Sequence, residues 1–276
     1  MLSRTRSSRR TPASPLQLWH LLSFDAPTAA ATWTWFLATA NHIHLPWTSP
    51  LAMAAAVWCL YAGDRLLDTE DLEPRHRFHH QHRDAFLIGI VFASLTLAVL
   101  LPRIPSESIH LYLILGGLVF GYFVLIHATR NAHRLPKELA VGICFAAATF
   151  IPTVSRRPEL RLPLLAPAIL FAALCSLNCL FIYAWEHESA HSSHPPHATT
   201  RFALRHLTLF TAVVAVLSAL LALFDHRCPR PIPAATVLST ALLLLLHHRH
   251  QRYSTVTLRA AADLALLTPL LLIPLL

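Results

Sequence analysis

The stretch Tyr61-Ala-Gly-Asp64-Arg65-Leu-Leu-Asp68-Thr-Glu-Asp71 sets carboxylates at i, i+4 and i+7, a spacing that gathers side chains on one face of a helix. Like charges grouped in this way call for a cation. Hard oxygens suit Mg²⁺, which takes one or two carboxylates and completes its shell with water and phosphate oxygens. The chemistry that follows is the binding of a diphosphate, with Asp64 and Asp68 as catalytic metal ligands and Tyr61, one turn earlier, as a candidate substrate contact. The competing reading is a solvated helix end with Arg65, Arg75 and Arg77 as counterions, since carboxylate pairs of this spacing are common on exposed helices. The pair directly follows an apolar segment, however, and polar groups at membrane depth face a cavity or a bundle interior.

A second polar group closes a later apolar run, Asn178-Cys-Leu-Phe-Ile-Tyr183-Ala-Trp185-Glu186-His187-Glu188. Asn178 stands about two turns inside that run; with Tyr183, Trp185 and Glu186 it is a candidate to line one pocket. Interhelical hydrogen bonding is the more frequent role of such an Asn, and Glu186 and Glu188 read equally as interfacial charges. Between the two groups lies Arg130-Asn-Ala-His-Arg-Leu-Pro-Lys137-Glu138. Arg130 and Lys137 there can meet phosphate oxygens, and the alternative is an ordinary basic loop. Two His-rich segments, Arg75 to His82 and His187 to His197, raise transition-metal binding, but no ligand geometry follows from them in a chain with 19 His.

These groups need elements to hold them, and composition says which. The chain is 276 residues, 55% hydrophobic and 13% charged, with a mean hydropathy of +0.50, outside the range of ordinary globular domains. No Asp, Glu, Lys or Arg occurs from Ala26 to Gly63, Ala85 to Leu101, Ser108 to Thr129, Leu139 to Ser155, Leu162 to Trp185, Leu207 to Phe224 or Pro231 to His248. Each run can cross, or nearly cross, a hydrocarbon core of roughly 30 Å at about 1.5 Å per residue. The first is double length and broken by Asn41-His-Ile-His-Leu-Pro46, so it reads as a helical hairpin. The runs are continuous rather than alternating, which excludes a membrane barrel.

The expected fold is therefore all-α, an integral membrane bundle of about nine transmembrane helices. The approximate spans are 24–40, 46–63, 85–101, 109–127, 139–155, 162–185, 203–224, 231–247 and 254–276. Residues 1–23 are expected as a basic cytoplasmic tail and 24–276 as one helical domain. Of the 22 Lys and Arg, only Arg103, Arg156, Arg157, Arg161, Arg227 and Arg230 fall on the side opposite the N-terminus. The positive-inside rule then makes the N-terminus and the loops after helices 2, 4, 6 and 8 cytoplasmic and the C-terminus external. The net charge of +8 is spread over loops, which argues against a nucleic-acid partner. The five cysteines sit mostly in apolar runs, where they act as small hydrophobic residues.

Acidic groups after helices 2 and 6, a basic loop after helix 4 and nine helices together resemble the UbiA superfamily of intramembrane prenyltransferases, in a divergent bacterial form. Asp64-Arg-Leu-Leu-Asp68 is similar to the closing half of that family's first motif, Asn-Asp-x-x-Asp-x-x-x-Asp, with Leu60 and Tyr61 where its Asn and first Asp stand. Lys137, followed by Glu138 and Gly142, is similar to the family's diphosphate-contacting loop lysine. Asn178, Glu186 and Glu188 occupy the ground of the second acidic motif without any aspartate. Ser23-Phe24-Asp25-Ala-Pro27 and Arg259-Ala-Ala-Ala-Asp263 also resemble segments of divergent members.

The resemblance implies a bacterial inner (plasma) membrane protein that moves an isoprenyl group from a diphosphate donor to a lipophilic, often aromatic, acceptor. It implies Mg²⁺ as cofactor, held by Asp64 and Asp68 with Glu186 as a further ligand. Lys137 and Arg130 would offset charge as the C1–O bond breaks, Asn178 would stand in the catalytic group, and Tyr183 or Trp185 would face the allylic cation. Two other readings stay open: a non-catalytic descendant that binds an isoprenoid or a partner, and an unrelated transporter in which Asp64 and Asp68 serve coupling ions.

Overall fold

The computed structural model describes residues 15–67, 74–128, 137–187 and 198–275, and these residues are all-helical, with no strand among them. A short α1 (Pro15–Leu21) precedes α2 (Asp25–Ala40) and α3 (Thr48–Leu67). The break between α1 and α2 is made at Ser23, which has φ 61°, a left-handed conformation that stops a helix. Asn41 and His42 end α2: Asn41 Nδ2 donates to the Leu37 carbonyl at 2.7 Å, and His42 takes φ 54°. Pro46 follows, and the chain turns back into α3, so α2 and α3 form an antiparallel pair.

Beyond them run α4 (Pro74–Gln81), α5 (Arg83–Leu100), α6 (Ser106–Ala128), α7 (Lys137–Arg156) and α8 (Leu165–His187). The chain ends with α9 (Ala198–Arg205), α10 (Leu207–Phe224), α11 (Pro231–His248), α12 (Thr255–Ala265) and α13 (Pro269–Leu272). Among the described residues, six segments are long and apolar enough to cross a membrane: Arg83–Arg103, Lys137–Arg156, Leu165–Glu186, Leu207–Phe224, Pro231–His248 and Thr255–Leu272. The other three of the nine expected spans correspond to α2, α3 and α6. Of these, α2 has 16 residues and the last turn of α3 carries Asp64 and Arg65, while α6 is 23 residues long with Glu107 in its first turn.

The core is built from α2, α7, α8, α11 and α12. Trp33 and Phe171 are fully buried with ring centroids 4.0 Å apart, and Trp33 Nε1 donates to the Leu266 carbonyl at 2.7 Å. This hydrogen bond ties α2 to the chain leaving α12 and satisfies an indole that would otherwise be stranded in the core. α7 and α8 approach closely at Gly142. A Cβ there would stand 2.6 Å from the Ser176 nitrogen and 2.7 Å from the Ala172 oxygen, so only glycine lets the two backbones meet.

On the outside the chemistry reverses. Leu87, Ile88, Val91, Phe92, Leu95 and Val99 of α5 are exposed, as are Leu209, Val213, Val216, Leu217, Leu220 and Leu223 of α10. Belts of this length and apolarity are rare on proteins surrounded by water, and with the six long apolar helices they are compatible with a multi-pass membrane protein. Residues 15–23, expected within the tail, pack into the structure: α1 lies against α12, and His20 and Ser23 are 2% and 0% exposed.

Candidate functional site

Charged groups inside an apolar bundle are costly unless they are partnered, and most of those in the core of this chain meet at one place. Five helical segments present one face each to a cavity of about 160 Å³. α2 contributes Asp25, Ala26 and Ala29; α3 contributes Tyr61 and Arg65; α7 contributes Val141 and Phe145. α8 contributes Cys175, Asn178, Cys179 and Ile182, and α12 contributes Arg259 and Asp263 with Leu266 just beyond. On α3, α7, α8 and α12 the residues are spaced i, i+3, i+4 and i+7, the pattern of a single helix face.

His20 and Asp25 form the tightest pair, with Nδ1 2.6 Å from Oδ2, while the second oxygen of Asp25 accepts from the Ala26 N–H at 3.0 Å. The same His20 nitrogen lies 3.9 Å from Oδ2 of Asp263. Asp263 accepts through Oδ1 from the amide nitrogen of Asn178 at 3.1 Å. That hydrogen bond commits one end of the Asn178 amide; the other end, Oδ1, is buried and has no hydrogen-bond partner among the described residues. An unsatisfied buried carbonyl costs roughly 1–3 kcal/mol, a sum a ligand in the cavity can recover.

Two guanidinium groups complete the ring of charge. Arg259 is paired with Glu186, one helical turn beyond Ile182 on α8. Arg65, 2% exposed, donates to the Ser23 hydroxyl, and Ser23 Oγ is also 3.0 Å from His79 Nε2. The Arg65 guanidinium carbon stands 5.7 Å from the centre of the Tyr61 ring. His79, fully buried, stacks on Phe86 with ring centroids 3.8 Å apart, so α4 and α5 brace the far side of this relay. Trp58 Nε1 holds the turn before Ser23 by donating to the Leu22 carbonyl at 3.0 Å.

The sequence candidates divide around this cavity. Tyr61 and Asn178 line it, and Glu186 reaches it through Arg259. Asp64 stands exposed on α3, and Lys137 is the exposed first residue of α7; neither borders the cavity. Asp68 and Arg130 lie outside the described residues. Tyr183 and Trp185 line a different concavity, of about 500 Å³, with Leu204, Arg205, Thr208 and His247 among its walls. There Trp185 Nε1 donates to His247 Nδ1 at 3.2 Å.

Four residues of the cavity had no role assigned beyond resemblance or charge balance: Asp25, Arg65, Arg259 and Asp263. His20 had none at all. The signal for the last two was on view, because Arg259 and Asp263 are the only charged residues between Ser254 and Leu276 and stand one turn apart.

Chemically the cavity offers guanidinium donors shaped for phosphate oxygens, carboxylates, and an apolar remainder from Ala26, Ala29, Val141, Phe145, Ile182 and Leu266. The donor set also bears on Mg²⁺. Asp25, Asp263 and Asn178 bring hard oxygens to one cavity, and the ligating atoms of His20, Asp25 and Asp263 all lie within 4.8 Å of one another. These residues fit a divalent cation. No protein-family model matches the chain, and no curated protein or solved structure shows significant similarity to it.

Proposed function

We propose that the chain is an intramembrane transferase that moves an isoprenyl group from a diphosphate donor to a lipophilic acceptor, with α2, α3 and α6 crossing the bilayer alongside the six long apolar helices. One observation carries the reading: Arg65, Arg259, Asp25, Asp263 and Asn178 converge on a cavity whose other walls are apolar. That pairing of a phosphate-binding end with an oily end matches a diphosphate ester of an isoprenoid. The cavity is smaller than the roughly 300 Å³ at which ordinary small-molecule sites begin, so the donor's head and first isoprene units occupy it and the rest of the tail lies between helices or in lipid.

In this reading Arg65 and Arg259 bind the diphosphate oxygens, and their charge stabilises the pair of electrons that leaves with the C1–O bond. Arg65 keeps its aim because Ser23 anchors it; Arg259 keeps its aim because Glu186 does. A divalent cation held by Asp25, Asp263 and Asn178, when bound, supplies further charge neutralisation of the leaving diphosphate. The ring of Tyr61 faces the allylic cation left behind. The acceptor's nucleophilic atom forms the new bond to C1, and the proton it gives up passes to the released diphosphate. The apolar walls keep out the water that would otherwise capture the cation.

A second reading, a non-catalytic isoprenoid-binding protein, is favoured by one feature: Asp25 and Glu186 are already matched by His20 and Arg259. The test is transfer itself. Purified protein is given radiolabelled geranyl, farnesyl and longer diphosphates, a lipophilic acceptor extract, and divalent metal or chelator. Metal-dependent product that disappears in Asp263→Asn supports the transferase. Saturable donor binding with no product from any donor moves the conclusion to the binding protein.

A further inference from the structure

His20, Asp25 and Asp263 come from α1, α2 and α12, opposite ends of the chain, yet their ligating atoms gather within 4.8 Å. Burial is deep: the side chains of His20 and Asp25 are 2% exposed and that of Asp263 is 17% exposed. Two carboxylates beside one imidazole nitrogen are not balanced by it alone, since a single Nδ1 cannot hydrogen-bond both; it stands 2.6 Å from Asp25 and 3.9 Å from Asp263.

The independent sign of a ligand is Asn178. It is 4% exposed, lines the same cavity, and has its amide nitrogen engaged by Asp263, while its carbonyl oxygen has no hydrogen-bond partner among the described residues. A cation near the two carboxylates gives that oxygen the partner it lacks and removes the repulsion between Asp25 and Asp263.

We infer that His20, Asp25, Asp263 and Asn178 form a metal centre with one nitrogen and three oxygen donors, which takes a first-row transition ion such as Mn²⁺ or Zn²⁺ in preference to Mg²⁺. The inference rests on the cavity being the working site of the transferase reading, and it changes the metal class that reading implies. Imidazole suits Fe²⁺ and Zn²⁺, and affinity at mixed nitrogen and oxygen sites rises through the first row from Mn²⁺, the weakest, to Zn²⁺ and Cu²⁺, whereas Mg²⁺ is held by oxygens. The flanking Arg65 and Arg259 weaken the hold on a bare cation and strengthen it once an anion is bound, so metal and phosphate bind cooperatively.

The experiment uses the full chain purified in detergent, stripped of metal with chelator and titrated with Mn²⁺. Electron paramagnetic resonance follows the loss of the free-ion signal, with and without inorganic diphosphate. The wild type is expected to bind one Mn²⁺ per chain, displaced by equimolar Zn²⁺ but only by a large excess of Mg²⁺. Asp263→Asn weakens it at least about tenfold, the lower end of what loss of even a supporting ligand interaction costs. That variant retains every surface histidine, so it also measures adventitious binding.

His20→Gln narrows the preference for Mn²⁺ over Mg²⁺. Asn178→Asp replaces the amide that donates to Asp263 by a third carboxylate; it melts lower without metal and binds Mn²⁺ more tightly, and a rise in its melting temperature on adding Mn²⁺ separates a metal centre from a variant that simply fails to fold. A folded wild type that binds Mn²⁺ no better than Asp263→Asn overturns the centre. Mn²⁺ binding without transfer of any isoprenyl group leaves the centre standing and removes the transferase; transfer that runs equally well in chelator does the reverse.

Discussion

Arg65 donates a buried hydrogen bond to the hydroxyl of Ser23, and Ser23 is held in the left-handed region at φ 61°. Ser23 lies in the turn between α1 and α2 and Arg65 on α3, and the backbone cost at Ser23, about 1–2 kcal/mol for a residue with a Cβ, is tolerated where the hydroxyl meets both Arg65 and His79. Replacing Ser23 by Ala keeps that cost and loses the bonds. Replacing it by Gly relieves the cost and also loses the bonds. Ser23→Ala is therefore expected to melt below Ser23→Gly in detergent, with both impaired in diphosphate binding. Equal melting of the two variants would contradict the assignment of strain at this position.

The Arg259–Glu186 pair is the next lever. Its side chains are 10% and 16% exposed, and breaking a buried pair from one side leaves a charge without its partner at a cost of about 3–5 kcal/mol. Glu186→Gln should lower thermal stability by an amount of that order. The double variant Glu186→Gln with Arg259→Met should recover much of it while binding no diphosphate. Thermal melts and a diphosphate titration on the same three preparations separate the two effects.

Gly142 sets how closely α7 and α8 approach, and these helices supply Val141, Phe145, Cys175, Asn178, Cys179 and Ile182 to the cavity. Gly142→Ala puts a methyl group against Ser176 and Ala172, and overpacking of this kind costs about 1–3 kcal/mol. Beyond lowered stability, the variant should weaken binding of any isoprenoid more than binding of inorganic diphosphate. Parallel titrations with the two ligands show whether that difference exists.

Cys228, in the connection between α10 and α11, is 3% exposed. Burial, with Asp225 nearby adding to it, pushes its thiol up to about 12. The thiolate is the reactive form, so at pH 8 Cys228 stays protonated in the folded chain and labels only after unfolding, when its ordinary pKa returns. A maleimide time course resolved by mass spectrometry, with and without denaturant, tests this. Rapid modification of Cys228 in the folded protein is the outcome that contradicts it.

Much of the architecture was legible because charge avoidance is a strong signal in an apolar chain. The uncharged run Leu162 to Trp185 anticipates α8 at Leu165–His187, and Pro231 to His248 coincides with α11. Asn178 and Glu186 stood out as polar residues at the end of an apolar run, and both belong to the polar cluster at the cavity.

Asp64 and this cavity lie on different rotations of α3. Asp64 is exposed, while Arg65, one residue and about 100° further round the helix, turns inward with Tyr61 one turn before it. A spacing rule finds a face but does not say which face is inside. The meeting of His20 with Asp263 was illegible for a different reason. Nothing local links α1 to α12, and only the packing of the whole bundle, with Trp33 bound to the Leu266 carbonyl, brings them together.

That same long-range tie governs the order of events in biosynthesis. Contacts between segments far apart in sequence carry the largest loop-closure entropy and form late. His20, which stands 3.9 Å from Asp263, leaves the ribosome on α1 long before α12 is made. During that interval His20 and Asp25 have each other and Arg65 has Ser23, while the cavity they face stays open until α12 docks.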